Sequence, residues 1–207
     1  TVFSDTLPSN FKNFKLIQET FASCYFNKAD TRKQFKKMIN DDEYDFSRYH
    51  FFFINYLFNS NNDTEAIKAA NESSKLFPRN LLINQLKNTL NNNEKNKNQF
   101  NCKNPEDILA EIIFVIANAL SSTGNYKLSN FYTNISKYLN PNFSSFDGRI
   151  AENFLLLKKY NKSKVIYKKL EKTGSFYYWY SSKNIAGILV EEKKNQKALT
   201  FLTERYN

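Results

Sequence analysis

Apolar residues return along this chain at the spacing of a helix, not of a strand. Phe14, Ile17, Phe21 and Cys24 fall three or four residues apart within 11–27, the stripe of one amphipathic helical face. Phe35, Met38 and Ile39 continue the pattern over 31–40, with Asp30 or Thr31 placed to cap its start. The run D-T-E-A-I-K-A-A from Asp63 opens with acids that suit the positive end of a helix dipole. Leu82, Ile83, Leu86 and Leu90 predict a further short helix over 81–90. Residues 91–104, N-N-N-E-K-N-K-N-Q-F-N-C-K-N, are polar with two apolar interruptions, and we expect a mobile loop too polar to bury. Asn104-Pro105-Glu106-Asp107 then supplies a cap, a proline at the first helical position and two acids in the first turn.

From Ala110 the pattern repeats itself. Ile116-Ala117 returns 34 residues later as Ile150-Ala151, Leu120 as Phe154, Tyr126 as Tyr160, Ser129 as Ser163, Tyr132 as Ile166 and Ser136 as Leu170. A unit counted from Ser47 carries Phe53, Ile54, Leu57, Ala66, Ala70, Ser73 and Pro78 at the corresponding places. A unit counted from Trp179 carries Ile185, Ala186, Leu189, Ala198 and Leu202, after the turn Thr173-Gly174-Ser175. Small residues at two fixed slots, large ones at positions 7 and 11, and a proline near the end of a 34-residue period mark a helix–turn–helix repeat. The pattern resembles the tetratricopeptide repeat. That resemblance implies an all-α fold, an α-α superhelix built as a solenoid of antiparallel helix pairs. It divides the chain into irregular N-terminal repeats plus an extra helix over 1–90 (second unit about 47–80), the polar loop 91–104, and a regular array over 105–207 with units from about 110, 144 and 179. The first pair has an ambiguous register. Ala66, Ala117, Ala151, Ala186 and Ala198 fall where paired helices touch, and the large residues at positions 7 and 11 are expected in the core.

In such arrays function lies on the concave face, which the first helices line. The resemblance places Arg48, Phe51, Asn55 and Asn59 there from the second unit, Phe114, Asn118 and Ser122 from the third, and Arg149 and Glu152 from the fourth. The same register puts Tyr180 of the fifth unit on that face. Asparagine suits such a face because its amide both donates to and accepts from an extended peptide backbone. The implied function is a non-enzymatic scaffold or adaptor that binds a peptide or protein segment. Phe51 and Ser145 stand where the carboxylate-clamp members of the family carry lysines, which argues against that clamp.

Composition changes this picture little. With 41% apolar and 16% aromatic residues the chain has ample core material, and four Gly and four Pro in 207 residues are too few for a turn-rich β protein. Heavy use of Phe, Tyr, Asn and Lys matches AT-rich codons and a low-GC bacterial source. The formal net charge of +10 opens an alternative, a basic-surface binder of nucleic acid or anionic membrane, but there is no Arg-rich tract or nucleic-acid motif to support it. Cys24 and Cys102 are open to being free or paired, and with one histidine, His50, they offer no metal set. His50 itself reads as a packing residue. No Gly-rich phosphate loop is present, so no cofactor is implied, and no apolar run reaches the roughly 20 residues of a membrane span. The chain starts at Thr1 without Met and stops just after a second helix. We therefore expect a piece of a longer protein, with the non-catalytic arm of a larger enzyme as a further alternative and the compartment undetermined.

Overall fold

The computed structural model describes residues 12–92 and 99–206. The expected lead-in 1–10 and the middle of the polar loop, 93–98, lie outside the described residues. All regular elements among the described residues are α-helices, and they pack as successive antiparallel pairs, the all-α helix-pair architecture that the repeat pattern predicts. Two compact units result, 1–108 and 109–207. The first contains α1 (Lys12–Tyr25), α2 (Thr31–Ile39), α3 (Ser47–Asn59), α4 (Asp63–Leu76) and α5 (Leu81–Asn91). The second holds most of α6 (Pro105–Ser122), then α7 (Tyr126–Leu139), α8 (Ser144–Leu156), α9 (Tyr160–Leu170), α10 (Ser175–Glu191) and α11 (Asn195–Tyr206). No described helix is long and apolar enough to cross a membrane.

Every first helix of a pair ends in the same way. One residue past its cap the backbone turns left-handed, at Asn27 (φ 54°), Asn61 (58°), Gly124 (81°), Lys158 (56°) and Lys193 (59°). That residue's N–H bonds back three residues and the next N–H bonds back five. Gly124 reaches the Ser121 carbonyl at 3.0 Å and Asn125 that of Leu120 at 2.9 Å, while Lys158 reaches Leu155 and Lys159 reaches Phe154, both at 2.8 Å. The paired bonds satisfy carbonyls that no later helical turn can reach. Asn27 lies 34 residues before Asn61, so α1–α2 is a pair of the same kind, although α2 starts two residues later after its turn than the other second helices do. Glycine adopts this conformation freely and asparagine tolerates it, whereas lysine holds it at a cost of about 1–2 kcal/mol.

Small residues let the paired helices close. Ala66, Ala117 and Ala151 are fully buried, and Ala186 and Ala198 are buried as well. Ser163, at the second small slot, is also fully buried and donates from Oγ to the Ala151 carbonyl at 2.9 Å, across the helix contact itself. At position 7, Phe53, Ile150 and Ile185 are core residues, but Ile116 is 42% exposed. This corrects the expectation for the third unit. Helix α6 is the first of its unit, and no earlier helix of that unit lies against its Ile116 side. At position 11, Leu57 is buried while Leu120, Phe154 and Leu189 are half-buried.

Unit 1 closes around aromatic rings. Phe21 meets Phe52 at 5.3 Å, Phe35 at 6.4 Å and Phe100 at 5.3 Å, and Phe52 meets Phe100 at 4.5 Å between ring centroids. Phe100 therefore corrects the reading of 91–104 as a segment too polar to bury, because residues 99–104 are anchored in this core. Cys102 is buried and forms a disulfide with Cys24 at the end of α1, linking residues 78 apart in sequence. Lys103 donates to Asn27 Oδ1 at 3.0 Å and to the Cys24 carbonyl. The two apolar interruptions in the polar run are its anchors.

Candidate functional site

Four of the residues that the repeat register places on the first-helix face come together in unit 2. Asn118 stands on α6, Arg149 and Glu152 on α8, and Tyr180 on α10. Arg149 Nε donates to Asn118 Oδ1 at 2.9 Å, its NH1 lies 2.9 Å from Glu152 Oε2, and Tyr180 Oη donates to Glu152 Oε1 at 2.6 Å. One polar ladder thus crosses three successive first helices. Each rung is fixed by its neighbour, so the guanidinium and carboxylate are held in place before any partner arrives. The Arg149 and Glu152 side chains remain 33% and 37% exposed. The guanidinium has five N–H donors and the Asn118 amide two. The two contacts of Arg149 and the single acceptor role of Asn118 leave donors of both groups available to a partner.

The inner end of the ladder is tuned by burial. Tyr180 is raised well above the ordinary phenol range by burial first and then by the Glu152 carboxylate. Tyr167 of α9 packs edge-on against Tyr180, with ring centroids 5.7 Å apart, and is fully buried. Its phenol is pushed up to about 12, by burial first and then by Glu152. The Tyr167 hydroxyl has no hydrogen bond among the described residues, Tyr180 and Ser163 being its polar neighbours without bonding geometry. Both phenols are therefore neutral at physiological pH, only Tyr180 donating, and the charges that the ladder presents are those of Arg149 and Glu152.

Below the ladder lies a buried polar cluster that the repeat pattern does not reveal. Asn153 is fully buried on α8. Its Oδ1 accepts from Ser121 Oγ of α6 at 2.7 Å, and its Nδ2 donates to Ser129 Oγ at 2.8 Å and Asn130 Oδ1 at 2.9 Å, both on α7. One amide thus pins three helices, with both its donors and its oxygen engaged. Asp147, also buried, does the same with charge: it pairs with Lys137 of α7 and with Lys169 of α9, the latter at 3.0 Å. Hydrogen bonding to Asp147 raises the Lys169 ammonium above its usual range. The one sequence signal for Asn153 is the polar pair Glu152-Asn153 inside an otherwise apolar stretch, Ile150 to Leu157.

The remaining expected groove residues do not share this surface. Phe51 and Phe114 are 2% exposed and Asn55 1%, so the expectation that they line an open groove is corrected. Helix α3 is covered by α2, α4 and the extra helix α5, and Phe51 stands edge-on to Phe52 at 5.3 Å. Asn55 Nδ2 is turned back onto the Phe51 carbonyl at 2.9 Å. Phe114 packs on Phe146 of α8 at 4.9 Å, within the contact between successive first helices. Arg48 is half-buried, with its guanidinium 5.6 Å from the centre of the Phe52 ring. Asn59 is exposed and reaches the Phe100 carbonyl at 3.5 Å, and exposed Ser122 donates to the Ala119 carbonyl at 2.8 Å. His50 is buried, Nδ1 2.8 Å from Ser73 Oγ and its ring 4.9 Å from that of Phe77, and burial lowers its pKa.

A cleft of about 560 Å³ opens in unit 1 between Lys36 and the α3–α4 turn. Its walls alternate Lys36 and Lys68 with Asp63, Glu65 and Glu72, and Glu65 is already paired with Arg32. No set of donors converges there. Among the described residues no group of three or more His, Cys, Asp or Glu side chains is placed to hold a metal.

No protein-family model and no curated protein matches the chain. Solved structures similar to it include a tetratricopeptide repeat protein from Parabacteroides merdae ATCC 43184, 15% identical with a TM-score of 0.40, the match covering 94% of this chain and 78% of that one. Two others are structures of MamA. The first, MamA MSR-1 C2, is 10% identical with a TM-score of 0.37, covering 95% and 99%. The second is a MamA point mutant, 9% identical with a TM-score of 0.35, covering 95% and 96%. At this distance the tetratricopeptide-like reading stands on the chain's own features: the shared left-handed caps, the buried small residues and the 34-residue register.

Proposed function

We propose that the protein is an interaction scaffold whose unit 2 binds a peptide or protein segment along the Asn118–Arg149–Glu152–Tyr180 ladder. The observation that carries this reading is the ladder itself. It is an ordered row of opposite charges and amide donors, half exposed, spanning three packed helices, where packing alone would call for apolar side chains. Such a row offers an extended backbone both donors and acceptors, with the guanidinium as the group best shaped for a carboxylate. Because the ladder residues hold one another in position, little side-chain freedom is lost on binding.

The test is selection of peptides from a random library on the intact chain, followed by titration against variants. Selected peptides are expected to bind at least tenfold more weakly to Arg149→Ala or Asn118→Ala and unchanged to Arg48→Ala, whose guanidinium lies in unit 1. Peptides that bind all three variants as well as they bind the native chain would place the binding surface elsewhere.

A further inference from the structure

A second surface of unit 2 concentrates positive charge. The net positive charge is concentrated there: unit 2 has 15 Lys and Arg against 7 Asp and Glu, whereas 1–108 has 15 against 13. Part of that excess falls at one edge in register. Lys158, Lys159 and Lys162 surround the α8–α9 turn, and Lys193, Lys194 and Lys197 stand at the same places around the α10–α11 turn, 35 residues on. All six are exposed. Because α8, α9, α10 and α11 pack consecutively and antiparallel, both turns lie at the same end of their helices. The ion pair of Lys164 on α9 with Glu192, next to Lys193, at 2.7 Å confirms that the two turns adjoin.

Two features of these lysines oppose folding preferences, their left-handed backbone and the absence of acids in the helical turns that follow them. Lys158 and Lys193 take the left-handed position that the other pairs give to Asn27, Asn61 and Gly124. The cluster sits between the C-terminal ends of α8 and α10, where the helix dipole favours cations, and the N-terminal ends of α9 and α11, where it disfavours them. Neither α9 nor α11 has an acid in its first turn, whereas α4 has Asp63 and Glu65 there. Of the two carboxylates at this edge, Glu192 is already held by Lys164 and by Lys194 at 2.8 Å, which leaves Glu191. Lys162 lies over the Phe154 ring, and among the described residues Lys158, Lys159, Lys193 and Lys197 have no ion-pair partner. Left-handed lysines in register and a row of unpaired ammonium groups, with Glu192 the one carboxylate paired against them, mark a surface suited to an anionic ligand. The lysine charges add to one positive field there, while the opposed dipole ends of the antiparallel helices largely cancel.

Apolar side chains break the same edge. Leu156 in the last turn of α8 is 54% exposed, and Val190 in the last turn of α10 is 52% exposed, each two or three residues before a lysine pair. Flexible ammonium groups flanking exposed aliphatic side chains match a surface of diffuse negative charge over hydrocarbon. We infer that the α8–α9 and α10–α11 turns form a docking edge for the anionic headgroup layer of a lipid bilayer, separate from the peptide ladder.

The experiment is co-sedimentation of the intact chain with vesicles of phosphatidylcholine plus phosphatidylserine and with vesicles of phosphatidylcholine alone. Binding is expected only to the anionic vesicles and is expected to fall steeply with added salt. Lys158→Gly with Lys193→Gly removes two charges while relieving the left-handed strain, so the variant folds at least as well; it should weaken binding about tenfold or more. Lys36→Gln with Lys37→Gln removes the same charge from unit 1 and should leave binding within about twofold. Leu156→Ser with Val190→Ser should weaken binding several-fold without altering its salt dependence. Equal binding to both vesicle types, equal losses in the two lysine variants, or no effect of the Leu156 and Val190 changes would overturn the inference. So would displacement from the vesicles by duplex DNA at matched charge, which would assign the edge to a phosphate polymer instead.

Discussion

Units 1 and 2 close the same helix-pair scheme by opposite means. Unit 1 relies on interlocked rings and a covalent bond: Phe21, Phe35, Phe52 and Phe100 form its centre, and the Cys24–Cys102 disulfide ties the end of α1 to the segment before α6. Unit 2 relies on register. Its small residues let helices approach, and its interior polar groups, Asn153 and Asp147, each bridge two other helices with partners in place. Where the repeat is regular, each first helix presents the same positions to its neighbours, and a ladder of polar residues can be aligned across them. Where an extra helix and a returning segment fill the groove, as around α3, the equivalent positions are sealed. Regularity in this protein is what leaves a surface open.

Breaking the covalent clasp should give the largest effect. Closing a loop of this length stabilises by about 2–4 kcal/mol, so Cys24→Ser with Cys102→Ser should lower the urea midpoint of unit 1 by that equivalent. The single tryptophan, Trp179, lies in unit 2. The early transition should therefore appear in far-UV circular dichroism and be missing from tryptophan fluorescence. The opposite pattern is expected for Ala151→Leu. A leucine at this fully buried contact overpacks by about 1–3 kcal/mol, and the loss should appear in Trp179 fluorescence; an unchanged midpoint would remove the register on which unit 2 is read. Asn153→Ala should cost about 1–3 kcal/mol, because it strands the Ser121 and Ser129 hydroxyls in the interior, again read through Trp179.

The smallest effect separates the units by pH. His50 is the one histidine and lies in unit 1. Burial lowers its folded pKa below the ordinary 6.5, so the unfolded chain binds the proton more readily. Stability from this source is complete above pH 6.5 and declines as the pH falls from there toward the folded value. The unit 1 midpoint should drop between pH 7 and 5.5, and His50→Gln should flatten that slope. A slope that survives the substitution would assign it to other groups.

The scheme of helix pairs was legible in the chain because small residues at fixed intervals have one physical reading, close helix contact, and Ala117 and Ala151 meet it. The ladder was partly legible: Asn118, Arg149 and Glu152 stand where the register puts an exposed face, and Tyr180 follows from the same count. Phe51, Asn55 and Phe114 were misplaced by that count, since a repeat register describes an ideal neighbour and not the helix that arrives. Helix α5 covers α3, and α8 brings Phe146 against Phe114. The role of 99–104 was hidden for a different reason. A composition average weighs Phe100 and Cys102 against a dozen polar neighbours, yet one ring and one sulfur suffice to anchor a segment.

The direct test of the ladder as a binding surface is a backbone amide NMR titration of the intact chain with a library-selected peptide. Dose-dependent shifts centred on Asn118, Arg149, Glu152 and Tyr180, and lost in Arg149→Ala, are the expected result. Shifts confined to unit 1, or a pattern that Arg149→Ala leaves intact, would contradict it.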